Sequence, residues 1–284
     1  MEQYSGNPYD LKEYNRINLR VSTTFRQSES QPHTNCEIPF NNASYLLDAV
    51  KKIDITGIDF PNNIRNIASY CNRFILQVFV VSLVEHTITI PPNYYNAVQL
   101  ALAIQNAIQV YVPTATFIFD SNLRKFVMNS NSPTGIGFAP DNTQATTNLS
   151  YNNFMWLIGN ALGTGITNTQ FVFTNEPNLV GASAVYLNSD ILANGKGIRN
   201  QINSESLIKN ISSFNSTEAI SFFVDSAFGA YNVYYNNGSE RGLISYQTAT
   251  KLASIDLNFT DCVGNTLEQV SNNLPIFVSL SIYY

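Results

Sequence analysis

The side chains that could do chemistry are few and lie far apart. There are two histidines. His33 falls in a polar N-terminal stretch, and His86 begins a strand beside Glu85. No His, Cys, Asp or Glu cluster has metal-ligand spacing, so both histidines read as lone surface side chains. "GTGITN" at 163–168 starts like a dinucleotide loop but lacks its last glycine and opens no strong helix. "ANGKGI", around Lys196, lacks the first Gly and the Ser/Thr of a phosphate loop. Ser206-Leu-Ile-Lys209 matches S-x-x-K, but no K-T-G follows. Asp54 with Asp59, and Asp256 with Asp261, lie on strand faces where solvated carboxylates are expected. General acid/base work would need each pair to converge on one reacting group. The expectation is therefore no catalytic residue, no cofactor-binding residue, no metal ligand, and no enzyme. Tyr94-Tyr95 and Tyr234-Tyr235 could contact sugar or protein, although paired tyrosines more often edge a core or an interface.

The surrounding composition points the same way. Charged residues make up 12% of the 284, about half the usual quarter. About one residue in eight is Asn, and there are 16 Tyr and 18 Phe. Such a surface repels its own kind weakly and suits a subunit packed against neighbours. An A+T-rich genome would also inflate Asn, Ile, Tyr and Phe regardless of function. The net charge of −5 argues against nucleic acid as the main partner, because phosphate binding needs a basic face. Cys36, Cys71 and Cys262 are odd in number and widely spaced, so they read as buried thiols of a reducing compartment. "MEQYSGNPYD" has neither a basic nor an apolar leader region, so no signal peptide is expected. Asn42-Ala-Ser44 and Asn258-Phe-Thr260 then read as chance matches to the glycosylation triplet. The longest apolar run, "FILQVFVVSLV" at 74–84, is too short to span a bilayer.

The elements that would position these residues are mostly strands. Residues 1–35 are polar and without sustained period, with only "INLRVST" hinting at a strand, and read as an arm. Removing residues 1–30 is expected to leave the monomer folded but weaken assembly. In 45–60, Ile53, Ile55 and Ile58 alternate with Asp54, Thr56 and Asp59, and Gly57 shifts the alternation by one, as a bulge would. "RFILQVFVVSLV", 73–84, reads as one strand buried on both faces. After "HTITIPP" comes a helix, with Asn96 and Gln99 at capping-box spacing. Ala97, Leu100, Ala101, Ile104, Ala107, Ile108 and Tyr111 mark its apolar face. A hairpin turning at Ser121-Asn122 follows, then a Gly/Pro/Thr-rich loop. A short helix then carries Trp156 and closes at Gly159.

Period two resumes at 169–174, 183–191, 219–225, 230–236, 250–261 and 276–284, around a polar connection at 192–217. In "LPIFVSLSIYY", Ile276, Val278, Leu280 and Ile282 share one face, and the stretch is expected to be an interior sheet member. Two strands before the helical unit and six after it make an eight-stranded antiparallel jelly roll, an all-β sandwich with an inserted small α+β unit. The expected division is an arm at 1–35, the first part of the roll at 36–84, the insertion at 85–165 and the second part at 166–284.

Two segments carry a family resemblance. "LASIDLNFTDCVGNTLEQVSNNLPIFVSLSIYY", with Asp261, Gly264-Asn265 and Leu267 leading to a last strand, resembles the close of penton-type minor capsid proteins of virophages and Polinton-like viruses. "ITIPPNYYNAVQLALAIQNAI", with "FIFDSNLRKFVMNS" and "FMWLIGN", is similar to a strand–turn–helix–hairpin–helix module of the same proteins. The resemblance covers about half the chain. It implies a virion protein with a single jelly roll, assembled in the host cytoplasm. Five copies would close a capsid vertex as a homopentamer flanked by the major capsid protein. It brings no catalytic residues. The arm is not basic, which speaks against contact with packaged DNA. The competing reading is a carbohydrate- or receptor-binding jelly roll, for which clustered Trp or a calcium-binding Asp/Asn set would be expected. A hydrolase on a β-sandwich would need a carboxylate pair or triad.

Overall fold

The alternating segments form antiparallel sheets in a computed structural model. It describes residues 15–40, 47–131, 133–144, 153–160, 162–182, 184–189, 218–235, 243–262 and 264–284. The first strands are β1 (Arg16–Ser22), β2 (Asn35–Pro39) and β3 (Val50–Pro61). Then come β4 (Arg73–Phe79), β5 (Leu83–Thr89), α1 (Ala97–Gln109), β6 (Thr116–Asp120), β7 (Lys125–Asn129), β8 (Gly135–Pro140), α2 (Phe154–Leu157) and β9 (Gln170–Val172). The remainder are β10 (Ala184–Asn188), β11 (Glu218–Phe223), β12 (Tyr231–Tyr235), β13 (Leu243–Thr250), β14 (Ser254–Thr260) and β15 (Phe277–Tyr283). Two compact units result. One comprises Met1–Asn62, Ala184–Thr266 and Asn272–Tyr284; the other comprises Asn63–Ser183 and Leu267–Ser271.

The first unit is a jelly roll. One sheet runs β1-β15-β3-β12, with β13 also on β3; the other runs β11-β10-β14-β2. Counted along this unit alone, with β12 and β13 sharing the sixth place, the orders are 1-8-3-6 and 5-4-7-2. Successive strands thus alternate between sheets except where the fourth and fifth form a hairpin, the signature of the roll. Apolar inner faces meet where Phe60 of β3 packs on Phe222 and Phe259 of the opposite sheet, ring centres 5.5 and 5.3 Å away.

β3 shows how local sequence sets this up. Ile53 and Ile55 face inward at odd positions, then Ile58 and Phe60 at even ones, and all four are fully buried. The change of parity is absorbed by a bulge: Ser279 pairs with Gly57, but the next residue, Leu280, pairs with Ile55. Thr56 is the extra residue, and its hydroxyl donates to the Ser279 carbonyl at 3.1 Å. Without the bulge every later side chain of β3 would point to the wrong face. A Cβ at Gly57 would lie 3.2 Å from the Tyr234 carbonyl, so the glycine also permits the close approach of β12.

The C-terminal strand is an interior member, as its alternation implies. β15 pairs with β1 over seven residues on one side and with β3 on the other. Ile276, Val278, Leu280 and Ile282 are all buried.

The expected arm is corrected from residue 16 onward. β1 and β2 are full strands of the two sheets, β2 pairing with β14 from Asn35–Asn258 to Pro39–Ser254. Ile17, Leu19 and Val21 do alternate, but Arg16, Asn18 and Arg20 between them dilute the signal to that of a polar stretch. Residues 1–14 of the arm and the 192–217 connection lie outside the described residues.

The second unit is wider than the 85–165 anticipated for the insertion. "FILQVFVVSLV" is not one strand but a hairpin, β4 turning through Val80–Ser82 into β5. Its turn carries no Gly, Pro or Asn, so an apolar run conceals it. β8, expected as loop, pairs with β4, and β9, expected in the roll, pairs with β7. The sheets β5-β4-β8 and β6-β7-β9 enclose a phenylalanine core. Phe117 lies 5.2, 5.4 and 5.8 Å from Phe126, Phe173 and Phe138, and Phe74 stacks on Phe138 and Phe154. α1 adds Leu100, Ala101, Ile104 and Ile108. Its capping box forms as the spacing requires: Gln99 N donates to Asn96 Oδ1 at 2.9 Å, and Asn96 N to Gln99 Oε1 at 3.0 Å.

Candidate functional site

The residues with chemical potential are dispersed. His86 stacks on Tyr111 at 3.9 Å, while Glu85 accepts from Gln77. "GTGITN" turns at Gly163, with φ of +83°, and then runs against β8: Thr164 N donates to Phe138 O at 2.7 Å, and Ile136 bridges to Thr167. Lys196, Ser206 and Lys209 fall outside the described residues. Asp59 is paired with Arg20, and Asp256 accepts from the Ser189 hydroxyl at 2.6 Å. Among the described residues, no group of three or more His, Cys, Asp or Glu side chains could hold a metal ion, and no helix is long and apolar enough to cross a membrane.

Three sequence readings change on contact with the geometry. His33 is buried, not on the surface. Cys262 is exposed, whereas Cys36 and Cys71 are buried as expected. Asp261 is buried and shapes a turn, its carboxylate accepting from Asn265 N and Nδ2 at 2.9 Å each. Gly264 in that turn has φ of +91°, which favours glycine, and Leu267 beyond it is buried. The Asp261–Gly264-Asn265–Leu267 pattern is thus architectural.

What remains is a row of exposed side chains on the outer face of the first sheet. The paired tyrosines of β12 divide by strand period. Tyr234 turns inward to Phe222, ring centres 6.0 Å apart, and Tyr235 is 71% exposed. Tyr231 and Val233 are exposed beside it. Cross-strand register sets Val233 opposite Asp59, and Asp59 opposite Phe277. Arg20 lies 4.7 Å over the Phe277 ring while paired with Asp59. Arg16 and Lys52 sit over Tyr283 at 5.8 and 5.3 Å. The Tyr231 hydroxyl donates to the Pro275 carbonyl at 3.1 Å, and its pKa is raised by burial and by the nearby Asp59 charge. Arginine, tyrosine and phenylalanine with few unpaired charges is the composition of protein–protein contacts. The alternation of "AYNVYYN" points to this strand; the row across strands is set by long-range register and has no local signal.

In the second unit, Phe79, Val80, Val81, Leu83 and Val84 are exposed around the β4–β5 turn, Val81 at 91%. Tyr95 is half-buried and donates to Pro91 O at 2.8 Å, and burial raises its pKa. Trp156 is half-buried in α2 against the phenylalanine core.

No family model matches the sequence, and no curated protein matches it. Among solved structures, the chain is similar to the crystal structure of the selenomethionine-labelled mavirus penton protein. The TM-score is 0.49 at 12% identity, covering 96% of this chain and 99% of that one.

Proposed function

We propose that the chain is a structural capsid protein without enzymatic activity: a penton, or minor capsid, subunit that closes icosahedral vertices as a homopentamer. The observation that carries a subunit role is the outer face of the first sheet, where Tyr231, Val233 and Tyr235 lie exposed beside the Arg20–Asp59 pair and Phe277. The penton assignment rests on the resemblance of the two sequence segments. In this reading the partners are four further copies and the major capsid protein of the same virus. The protein resides at the virion vertex after assembly in the host cytoplasm. A closed ring requires two different complementary patches on each subunit, and the β12 face supplies one.

The test combines native mass spectrometry of the purified protein with imaging of assembled particles. A discrete cyclic oligomer, or density at vertices, is expected for the wild type. Val233→Asp with Tyr235→Ser should abolish it while leaving monomer melting unchanged. A wild-type chain that stays monomeric and is missing from particle vertices overturns the proposal. The carbohydrate-binding alternative would use the same exposed tyrosines, and saturable glycan binding by a monomer would favour it.

A further inference from the structure

Buried in the first unit is a hydrogen-bond chain centred on a histidine. Ile276 N donates to Thr23 Oγ1 at 2.9 Å, and the same hydroxyl lies 2.6 Å from His33 Nδ1, to which it donates when the neutral ring carries its hydrogen on Nε2. His33 Nε2 lies 3.0 Å from the Asn272 carbonyl, an acceptor only, so Nε2 must carry the hydrogen. Asn272 Oδ1 accepts from His33 N at 3.2 Å, and Thr23 N donates to Ile276 O at 3.0 Å. The ring therefore joins the segment between β1 and β2 to the residues that lead into β15. His33 is 3% exposed and Thr23 fully buried.

The charged group that faces the ring is Arg26, whose Nη1 lies 3.4 and 3.5 Å from the two ring nitrogens. Backbone carbonyls of Thr23 and Glu29 hold that guanidinium in place. Among the described residues no carboxylate bonds to the ring. Cys36 donates its thiol to the His33 carbonyl at 3.8 Å, and burial pushes that thiol up to about 11, so it stays neutral. The segment from Asn272 to Ile276 contributes no titratable side chain.

We propose that Thr23, His33 and Asn272 form a proton-sensitive clasp, and that protonation of His33 releases the β1–β2 segment from the approach to β15. A proton on Nδ1 would force the Thr23 hydroxyl to turn its own proton away and accept instead, and would set a second cation against Arg26 at a ring that is 3% exposed. Burial, then the Arg26 charge, hold the His33 pKa below its ordinary 6.5. The unclasped state binds the proton more readily, so the clasp is at full strength above pH 6.5 and weakens as pH falls toward the folded-state pKa. This inference does not depend on the capsid reading.

Histidine carbon-13 NMR of the full-length protein tests it directly. With only two histidines, His86→Gln assigns the signals. His33 should hold the Nε2–H tautomer and titrate below 6.5. Hydrogen exchange, corrected for the intrinsic pH dependence, should show faster local opening of residues 16–35 on acidification. The change is about tenfold per pH unit between 6.5 and the His33 midpoint. His86→Gln should keep this response, and His33→Gln, if it folds, should lose it. A His33 signal that titrates at or above 6.5, or exchange in 16–35 that does not respond to pH in the wild type, overturns the clasp.

Discussion

Phe60 is where the inner faces of the roll meet, fully buried between Phe222 and Phe259. Truncation to alanine would remove both ring contacts and open a cavity, so Phe60→Ala is expected to destabilise the first unit by about 3–5 kcal/mol. Denaturant melts of the two chains measure this. Gly159→Ala should be equally visible in the second unit. Gly159 has φ of +91°, and a Cβ there would lie 2.2 Å from the Asn175 carbonyl, so backbone must move. A loss above about 1 kcal/mol is expected, and an unchanged melting temperature would contradict the geometry. At this scale the sequence is readable where a residue acts through its own backbone or period. Gly57 marks the bulge, Asn96 the cap and Gly159 the helix end. It is unreadable where burial is conferred by distant partners. His33 owes its burial to residues 272–276, and nothing between Gln31 and Asn35 announces that.

β15 joins the scale of residues to that of elements, because both its edges are in use. Removing Ile276 to Tyr284 would strip backbone partners from β1 and β3 and uncover the apolar faces beneath. Each buried unpaired group costs about 1–3 kcal/mol and each large apolar side chain lost about 2–5 kcal/mol. Together these exceed the roughly 5–15 kcal/mol that holds a domain folded, so the truncated chain should be insoluble or unfolded by circular dichroism. Removing residues 1–30 should also lower the melting temperature, against the expectation drawn from an arm, because β1 goes with them. A Tm unchanged by that deletion would mean that β1 adds no stability. That antiparallel strands build the roll was legible, but not which strands belong to it. β4, β5 and β9 speak the same period-two language as the roll and belong to the other unit. β1 and β2 are too polar to stand out, and β13 carries few apolar residues in "LISYQTAT". Periodicity reports that a strand has a buried face. It does not report which sheet buries it.

For the whole molecule, the contact pattern sets the division of labour differently from the hydropathy pattern. The chain leaves the roll after β3 and re-enters at β10, so the second unit is inserted between the third and fourth strands of the roll. We propose that this unit is dispensable for folding of the roll. The strands of both roll sheets and the Phe60 contacts lie outside it. One short return complicates the cut: Leu267–Ser271 belongs to the second unit, with Ile64 bridging to Gln269 and Val270 N donating to Asn63 O at 2.8 Å. A deletion should therefore keep Asn63 to Arg65 and replace 66–182 with a flexible Gly/Ser linker. Domain insertions of this kind are tolerated where few contacts cross the boundary. The shortened chain is expected to show a strand-type circular dichroism spectrum and a single cooperative melt. Phe60→Ala should lower that melt by a margin similar to that in the full chain, since the contacts it removes are all retained. A shortened chain that melts without cooperativity, or is indifferent to Phe60→Ala, would show that the second unit is part of what holds the roll together.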